Sequence, residues 1–322
     1  MFNSLHRDEV FVAGGQPKVT YVDRQELHVE RNVARAIAAP NQIVSLAGPT
    51  KTGKTVLCKK ILGDREYVWI DGGLIESVQQ LWDEVASELE IPSEVTNSTD
   101  STNGVDGGLT SPIVSLKGSK LRKKGKSERH VRSMSDALNT LVQDRIILVI
   151  DDFHYLTAEN RTTLLRNVKG AVFNGLKVVL LSVTHRAFDA IKAESELTGR
   201  FVSITLPTWT YEELAQIPKL GFDALRVEAD DLLLRKLAQE CQESPFLMQR
   251  FCWEICFDNG IEHAATLLTS KSIPATYDVD GMLKRLAHDS GLPIYQKLVT
   301  GPQNRKTRTK RPLPFVSRRD WA

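Results

Sequence analysis

Gly48-Pro49-Thr50-Lys51-Thr52-Gly53-Lys54-Thr55 follows the pattern G-x-x-x-x-G-K-[ST] of a phosphate-binding P-loop. The spacing has a mechanical reason. Glycines let the backbone wrap a phosphate with its N–H groups pointing inward, so the cradle runs from Gly48 through Val56. Lys54 supplies positive charge at the β- and γ-phosphates, and the Thr55 hydroxyl ligates Mg²⁺. The flanks agree with this reading. Gln42-Ile43-Val44-Ser45-Leu46-Ala47 before the motif reads as a buried strand. Thr55-Val56-Leu57-Cys58-Lys59-Lys60-Ile61-Leu62 after it reads as a helix, whose N-terminus favours an anion.

A second motif complements the first. Arg145-Ile146-Ile147-Leu148-Val149-Ile150-Asp151-Asp152 is an apolar, mostly β-branched run ending in two carboxylates. Such a run reads as a strand buried on both faces. Acids at its end lie at the carboxyl edge of a parallel sheet, where ligands bind in open α/β folds. This is the Walker B arrangement. Asp151 is expected to hold Mg²⁺, directly or through water, and Asp152 to orient or deprotonate an attacking water.

Alternating strands and helices continue along the chain and predict a parallel α/β sheet covered by helices. Residues 1–41 form a leading segment with a helix over about 26–39, and Tyr21 and Arg24 within it are candidates to touch the base of a nucleotide. Strands are expected at 66–71, 176–184 and 201–206, the last at a sheet edge. Helices are expected at 74–91, with Leu74 on the apolar face, and at 133–143 and 158–173. The ATPase core is drawn as 42–209, a helical lid as 210–269, and a further helix near 279–288 with a basic tail as 270–322.

Between about 95 and 128 the composition shifts to Ser, Thr, Asn and Gly, which predicts a mobile insertion. Its end is basic. Lys117 to Arg132 holds eight basic residues against one acid, Glu128. Residues 305–319 form a second basic run. These runs are candidate nucleic-acid contacts; solvated disordered segments are the other reading.

Composition bounds the remaining classes. The chain has 322 residues, 41% of them apolar, and a net charge of only +2. It is therefore no polycation overall. No apolar run approaches the ~20 residues of a membrane span, and the N-terminus lacks the plan of a signal peptide. Cys58, Cys241, Cys252 and Cys256 show no C-x-x-C pair and read as reduced thiols in a cytoplasmic protein. Cys252 and Cys256 continue an apolar helical stripe, which favours core packing over a shared metal.

The order of strand, P-loop, helix, Walker B strand, polar-ended strand, arginine and helical lid resembles the AAA+/STAND branch of P-loop ATPases over residues 11–268. The fold this implies is the P-loop NTPase three-layer α/β/α sheet followed by the lid. Leu197-Thr198-Gly199-Arg200-Phe201 with Leu206-Pro207-Thr208-Trp209 is similar to a stretch of TniB-like and origin-recognition-like ATPases. The resemblance implies ATP and Mg²⁺ as cofactors, a homo-oligomer in ATP, and Arg200 acting on the γ-phosphate of a neighbouring subunit. Glu243-Ser244-Pro245-Phe246-Leu247 is similar to the STAND lid motif, whose proline, here Pro245, packs near adenine. Ser182 and Thr184 match the sensor-1 position, where STAND relatives favour Arg186 instead. Arg250 is a weak sensor-2 candidate. The second Walker B acid is Asp152 rather than Glu, one methylene shorter, which implies slow hydrolysis. Two functions follow from the resemblance. One is an ATP-driven regulator on nucleic acid, akin to transposition or replication initiators. The other is a nucleotide switch with a protein partner, as in signalling or defence.

Overall fold

Ile43–Ala47 (β1) is buried along its whole length, as an apolar strand uninterrupted by charge requires when it has neighbours on both sides. The computed structural model describes residues 5–24, 27–91, 134–183, 199–265, 271–274 and 276–288. The chain divides into two compact units, Met1–Ile273 and Pro274–Ala322. Thr184, Arg186, the basic run 117–132, the insertion 95–128 and the tail 305–319 lie outside the described residues.

In chain order the first unit holds α1 (Arg7–Val10), α2 (Val29–Ala38), β1, α3 (Lys54–Leu62), β2 (Tyr67–Asp71), α4 (Val78–Glu88) and α5 (134–143). There follow β3 (Ile147–Asp151), α6 (Ala158–Phe173), β4 (Val178–Ser182), β5 (Phe201–Thr205), α7 (Tyr211–Leu225), β6 (Val227–Glu228), α8 (Asp231–Glu240), α9 (Pro245–Asp258) and β7 (Lys271–Ser272). Among the described residues of the second unit, 279–288 form a helix, α10.

The main sheet is parallel throughout, in the order β2-β3-β4-β1-β5. Parallel neighbours need crossover connections, and the helices that supply them cover both faces. Side chains alternate along each strand, and the burial follows that alternation. Leu148 and Ile150 of β3 pack with Leu81 and Trp82 of α4 and with Leu164 and Val168 of α6. Ile147 and Val149 face the other way, against Val33 and Ile37 of α2 and Leu57 and Leu62 of α3. Each of these fully buried aliphatic side chains contributes about 1.5–3 kcal/mol from burial. The register pairs Asp71 with Asp151, and Ala47 with both Ser182 and Thr205. The carboxyl ends of the strands therefore line up along one edge. β5 is the edge strand that its alternation predicts, with only partial burial.

Two boundaries differ from those expected. The first long helix begins at Val29 rather than about 26, because His28 sits in the left-handed region at φ 49°. α4 begins at Val78, where the Ser77 side chain accepts from the Gln80 N–H and caps it. Gly72–Leu74 instead forms a 3₁₀ turn. Leu74 is 70% exposed there and does not join the apolar face.

α7, α8 and α9 pack on one another as a helical layer after the sheet. The N-terminal residues belong to this layer. Phe11 packs edge-on against Phe222 of α7 at 5.2 Å. Gly221 leaves the room for it, since a Cβ at that position would overlap the Phe11 ring. The buried Thr20 hydroxyl donates to Val10 O and accepts from the Gln249 amide of α9, both at 2.7 Å. Gln249 in turn accepts from the Val12 N–H at 3.1 Å. Trp253 donates to Asp8 at 2.6 Å, and Arg7 lies over the Trp253 and Phe257 rings.

Candidate functional site

The loop between β1 and α3 turns through two residues of positive φ, Lys51 at 63° and Gly53 at 92°. The Thr52 hydroxyl closes it by donating to Pro49 O at 2.8 Å. Gly48 sits where a Cβ would come within 3.1 Å of the Leu206 side chain, so a side chain at the loop's first residue would crowd Leu206. Lys54 opens α3 and folds back over this loop. Its ammonium donates to Gly48 O at 3.0 Å and Pro49 O at 2.8 Å. Burial lowers the Lys54 pKa, and the charges of Asp151 and Asp152 oppose that shift.

Thr55 Oγ1 donates to Asp151 Oδ2 at 2.9 Å, which joins the two motifs directly. The Asp152 N–H donates to the other oxygen, Oδ1, at 2.8 Å. Burial pushes the Asp151 carboxyl above its usual range despite these bonds. Asp152 lies in the left-handed region at φ 49° and its side chain is 47% exposed. His154 Nδ1 is 3.8 Å from its Oδ1. Gly72, at the end of the neighbouring strand, packs flush against this turn. A Cβ there would stand 2.8 Å from Asp151 O and 3.0 Å from Asp152 O.

Thr50 through Val56, Asp151, Asp152 and His154 line one cleft of about 570 Å³, which also takes in Val183, Trp209, Pro245 and Phe246, whereas Gly48 and Pro49 do not border it. Pro245 is the first residue of α9, capped by the Ser244 side chain. Lys51 Nζ sits 4.1 Å from the Phe246 ring centre, so the P-loop touches the start of the lid helix. The Mg²⁺ ligands expected from sequence fit together. A hydroxyl and a carboxylate at hydrogen-bond distance are hard oxygen donors, and Mg²⁺ typically takes one or two carboxylates with phosphates and waters.

Other candidates fall elsewhere. Arg200 does not line its own cleft, and its guanidinium lies 4.9 Å from the Phe173 ring centre. Arg250 does not line it either; it pairs with Glu254 at 2.5 Å on α9. Tyr21 and Arg24 both line the cleft, but their polar groups are engaged. Tyr21 donates to Glu30 at 2.5 Å, and burial together with Glu30 pushes its phenol up. Arg24 pairs with Glu213 at 2.8 Å. Thr184 lies outside the described residues, while Val183 beside it reaches the cleft. Ser182 is buried, and its hydroxyl has no hydrogen-bond partner among the described residues. Cys252 and Cys256 are fully buried, and no cluster of His, Cys, Asp and Glu that could hold a metal occurs among the described residues. No helix among them is long and apolar enough to cross a membrane.

Two contributors were missed in the sequence. Trp209 donates from its indole to Thr52 O at 3.0 Å. Gln16 donates to Val56 O at 3.2 Å. The Leu206-Pro207-Thr208-Trp209 stretch lies far beyond the P-loop in sequence, with Trp209 157 residues from Thr52, and no local pattern joins the two.

Residues 38–188 match the family model described as an AAA domain. This part of the chain is an AAA domain of the P-loop ATPase class. No curated protein sequence matches the chain. Among solved structures, the Walker-type ATPase PABY2304 of Pyrococcus abyssi is similar, with a TM-score of 0.56 and 17% identity over 87% of this chain and 75% of that one. Cdc6p of Pyrobaculum aerophilum is similar with a TM-score of 0.54 and 15% identity over 80% of this chain and 68% of that one. The Orc1 protein of Aeropyrum pernix, solved in complex with DNA, gives 0.52 and 14% over 81% and 66%. At these identities the likeness is one of fold. It covers more of the chain, 80–87%, than the AAA domain match over residues 38–188 does.

Proposed function

We propose that this chain is an ATP-binding regulator that hydrolyses ATP slowly, assembles as an oligomer in ATP, and acts on nucleic acid. The observation that carries the nucleotide part is the closed set Lys54, Thr55, Asp151 and Asp152 at one cleft. Lys54 and the N-terminus of α3 hold the β- and γ-phosphates. Thr55 and Asp151 hold Mg²⁺, which supplies charge neutralisation of the phosphates when bound. Asp152, at the exposed rim, orients the attacking water. Its short side chain is the reason for slow turnover. Pro245 borders the base. Arg200, lying away from its own cleft, serves the γ-phosphate of the next subunit, with Thr184 at the sensor position.

The nucleic-acid part rests on the density of positive charge at 117–132 and 305–319. The test is ATP binding and turnover in wild type, Lys54→Ala and Asp152→Asn. Lys54→Ala should lose most binding. Asp152→Asn should bind ATP but turn over ~10²–10⁴-fold more slowly. Mixing Arg200→Ala with Asp152→Asn should restore part of the turnover, because one supplies the base and the other the finger. DNA binding at two salt concentrations addresses the partner. Each phosphate neutralised steepens the log–log salt slope by about 0.9, so replacing Lys120, Arg122, Lys123 and Lys124 by Ser should flatten it. No salt-sensitive DNA or RNA binding in any nucleotide state would replace this reading with a protein-partnered switch.

A further inference from the structure

The linker between the last strand and the first lid helix is held by one guanidinium. Arg24 is nearly buried, its side chain 7% exposed. Its Nε donates to Glu213 Oε1 at 2.8 Å, one terminal nitrogen to Pro207 O at 2.9 Å and the other to Thr208 O at 2.7 Å. Its face covers the Trp209 ring at 4.8 Å. Glu213 is also the third residue of α7, and its second oxygen accepts from the Thr210 N–H at 2.9 Å, completing a capping box with the Thr210 hydroxyl. One side chain therefore fixes the linker backbone, the ring of Trp209 and the start of the lid.

Trp209 carries this order into the phosphate loop. Its indole N–H donates to Thr52 O. A trans peptide is planar, with its C=O and the following N–H pointing in opposite directions. Holding the Thr52 carbonyl toward Trp209 therefore aims the Gly53 N–H to the opposite side of that peptide. Gly53 has the positive φ that lets the chain leave this fixed peptide and start α3.

We propose that Trp209 and Arg24 are positioning residues of the phosphate site: Trp209 sets the Thr52–Gly53 peptide, and Arg24 couples that peptide to the hinge of the helical lid. The proposal rests on the reading of residues 48–56 as a nucleotide site. A lid rotation that moves the linker pulls the indole from Thr52 and loosens the cradle. Coupling is reciprocal, so phosphate binding that holds the Thr52–Gly53 peptide also holds the hinge.

The experiment is a double-mutant cycle in the full chain, with Trp209→Phe and Arg24→Lys, read by ATP affinity and, separately, by thermal unfolding. Trp209→Phe keeps an aromatic ring, though a smaller one, for Arg24 and removes the donor. It should weaken ATP binding about three- to tenfold, the size of one neutral hydrogen bond. Arg24→Lys should weaken ATP binding in the wild type but add nothing in the Trp209→Phe background, because its route to the P-loop is then already cut. It should lower the melting temperature in both backgrounds. Unchanged ATP affinity in Trp209→Phe, or additive losses in the double variant, overturns the proposal. Should a variant not fold, hydrogen exchange of the wild type decides. ATP must slow exchange at the amides of 208–213 as well as in the P-loop, and an indifferent hinge overturns the coupling. Lys54→Ala separates the two layers of argument, since wild-type ATP affinity there sinks the nucleotide site itself.

Discussion

Replacing Gly72 by Ala should damage the site without removing a polar group. Gly72 is buried behind the Walker B turn and has no positive φ, so alanine suits its backbone. Only space is at issue. The new Cβ would stand 2.8 Å from Asp151 O and 3.0 Å from Asp152 O, both backbone atoms, where ordinary contact begins at 3.4 Å. The turn must retreat by about 0.6 Å, the difference between those distances. Overpacking of this kind costs about 1–3 kcal/mol. The lower backbone entropy of an unfolded chain with alanine offsets about 0.4–1 kcal/mol of that. The net loss lowers Tm by a few degrees, at about 2–4 °C per kcal/mol for a protein of this size. Catalysis is more sensitive, because Asp152 moves with the turn. A 1 Å misplacement can cost ~10²-fold in rate, so a shift of about half that predicts a turnover loss of about tenfold. Gly73→Ala is the matched control in the same 3₁₀ turn. Its Cβ would meet Asp71 Oδ1 at 3.1 Å and Tyr155 at 3.6 Å, both side chains able to yield. Calorimetry and single-turnover ATP hydrolysis on the two variants make the comparison. If Gly72→Ala and Gly73→Ala behave alike in both assays, the packing of the turn does not position Asp152 and the reasoning is wrong.

Three further outcomes follow from burial. Asp151 has its pKa raised above the ordinary 3.8 by desolvation, so the folded state holds its proton more tightly than the unfolded chain. Stability is therefore lost as pH rises from the ordinary value through the raised one. In metal-free buffer Asp151→Asn should be more stable than wild type at pH 7, with a smaller advantage at pH 4, while losing Mg²⁺-dependent ATP binding; urea unfolding at both pH values checks this. The four cysteines are buried, with Cys58 and Cys256 pushed up to about 12 by desolvation and Cys241 and Cys252 also raised. All four should resist a disulfide-exchange reagent at pH 8 in the native protein and react fully in denaturant, and fast native reaction of any one contradicts its placement. Thr20→Val and Gln249→Leu should each cost about 1–3 kcal/mol by leaving a buried partner unsatisfied, and the double variant should cost less than the sum of the two, measured by denaturant unfolding.

The parts of this molecule that were legible in the sequence are those whose cause is local. The five apolar residues Ile146 to Ile150 followed by two acids could be read directly as the strand β3, because burial and the position of the acids depend on neighbours along the same strand. α6 runs from Ala158 to Phe173 as expected, since its own Thr157 caps it and Asn174-Gly175 ends it. α4 was misplaced for an equally local reason that was overlooked. Ser77 is a stronger start than Leu74, and the paired glycines before it favour a turn. Arg24 shows where local reading stops. Near a phosphate loop, an arginine invites assignment to the nucleotide, and Arg24 does border the cleft. Its donors are nevertheless taken by groups 183, 184 and 189 residues away. A planar guanidinium meets a carboxylate, two carbonyls and an indole face only if the lid has already folded over the sheet. No periodicity or spacing along the chain encodes that meeting. The same distance makes Arg24 informative about mechanism, because a residue tied to both hinge and pocket must feel any motion between them.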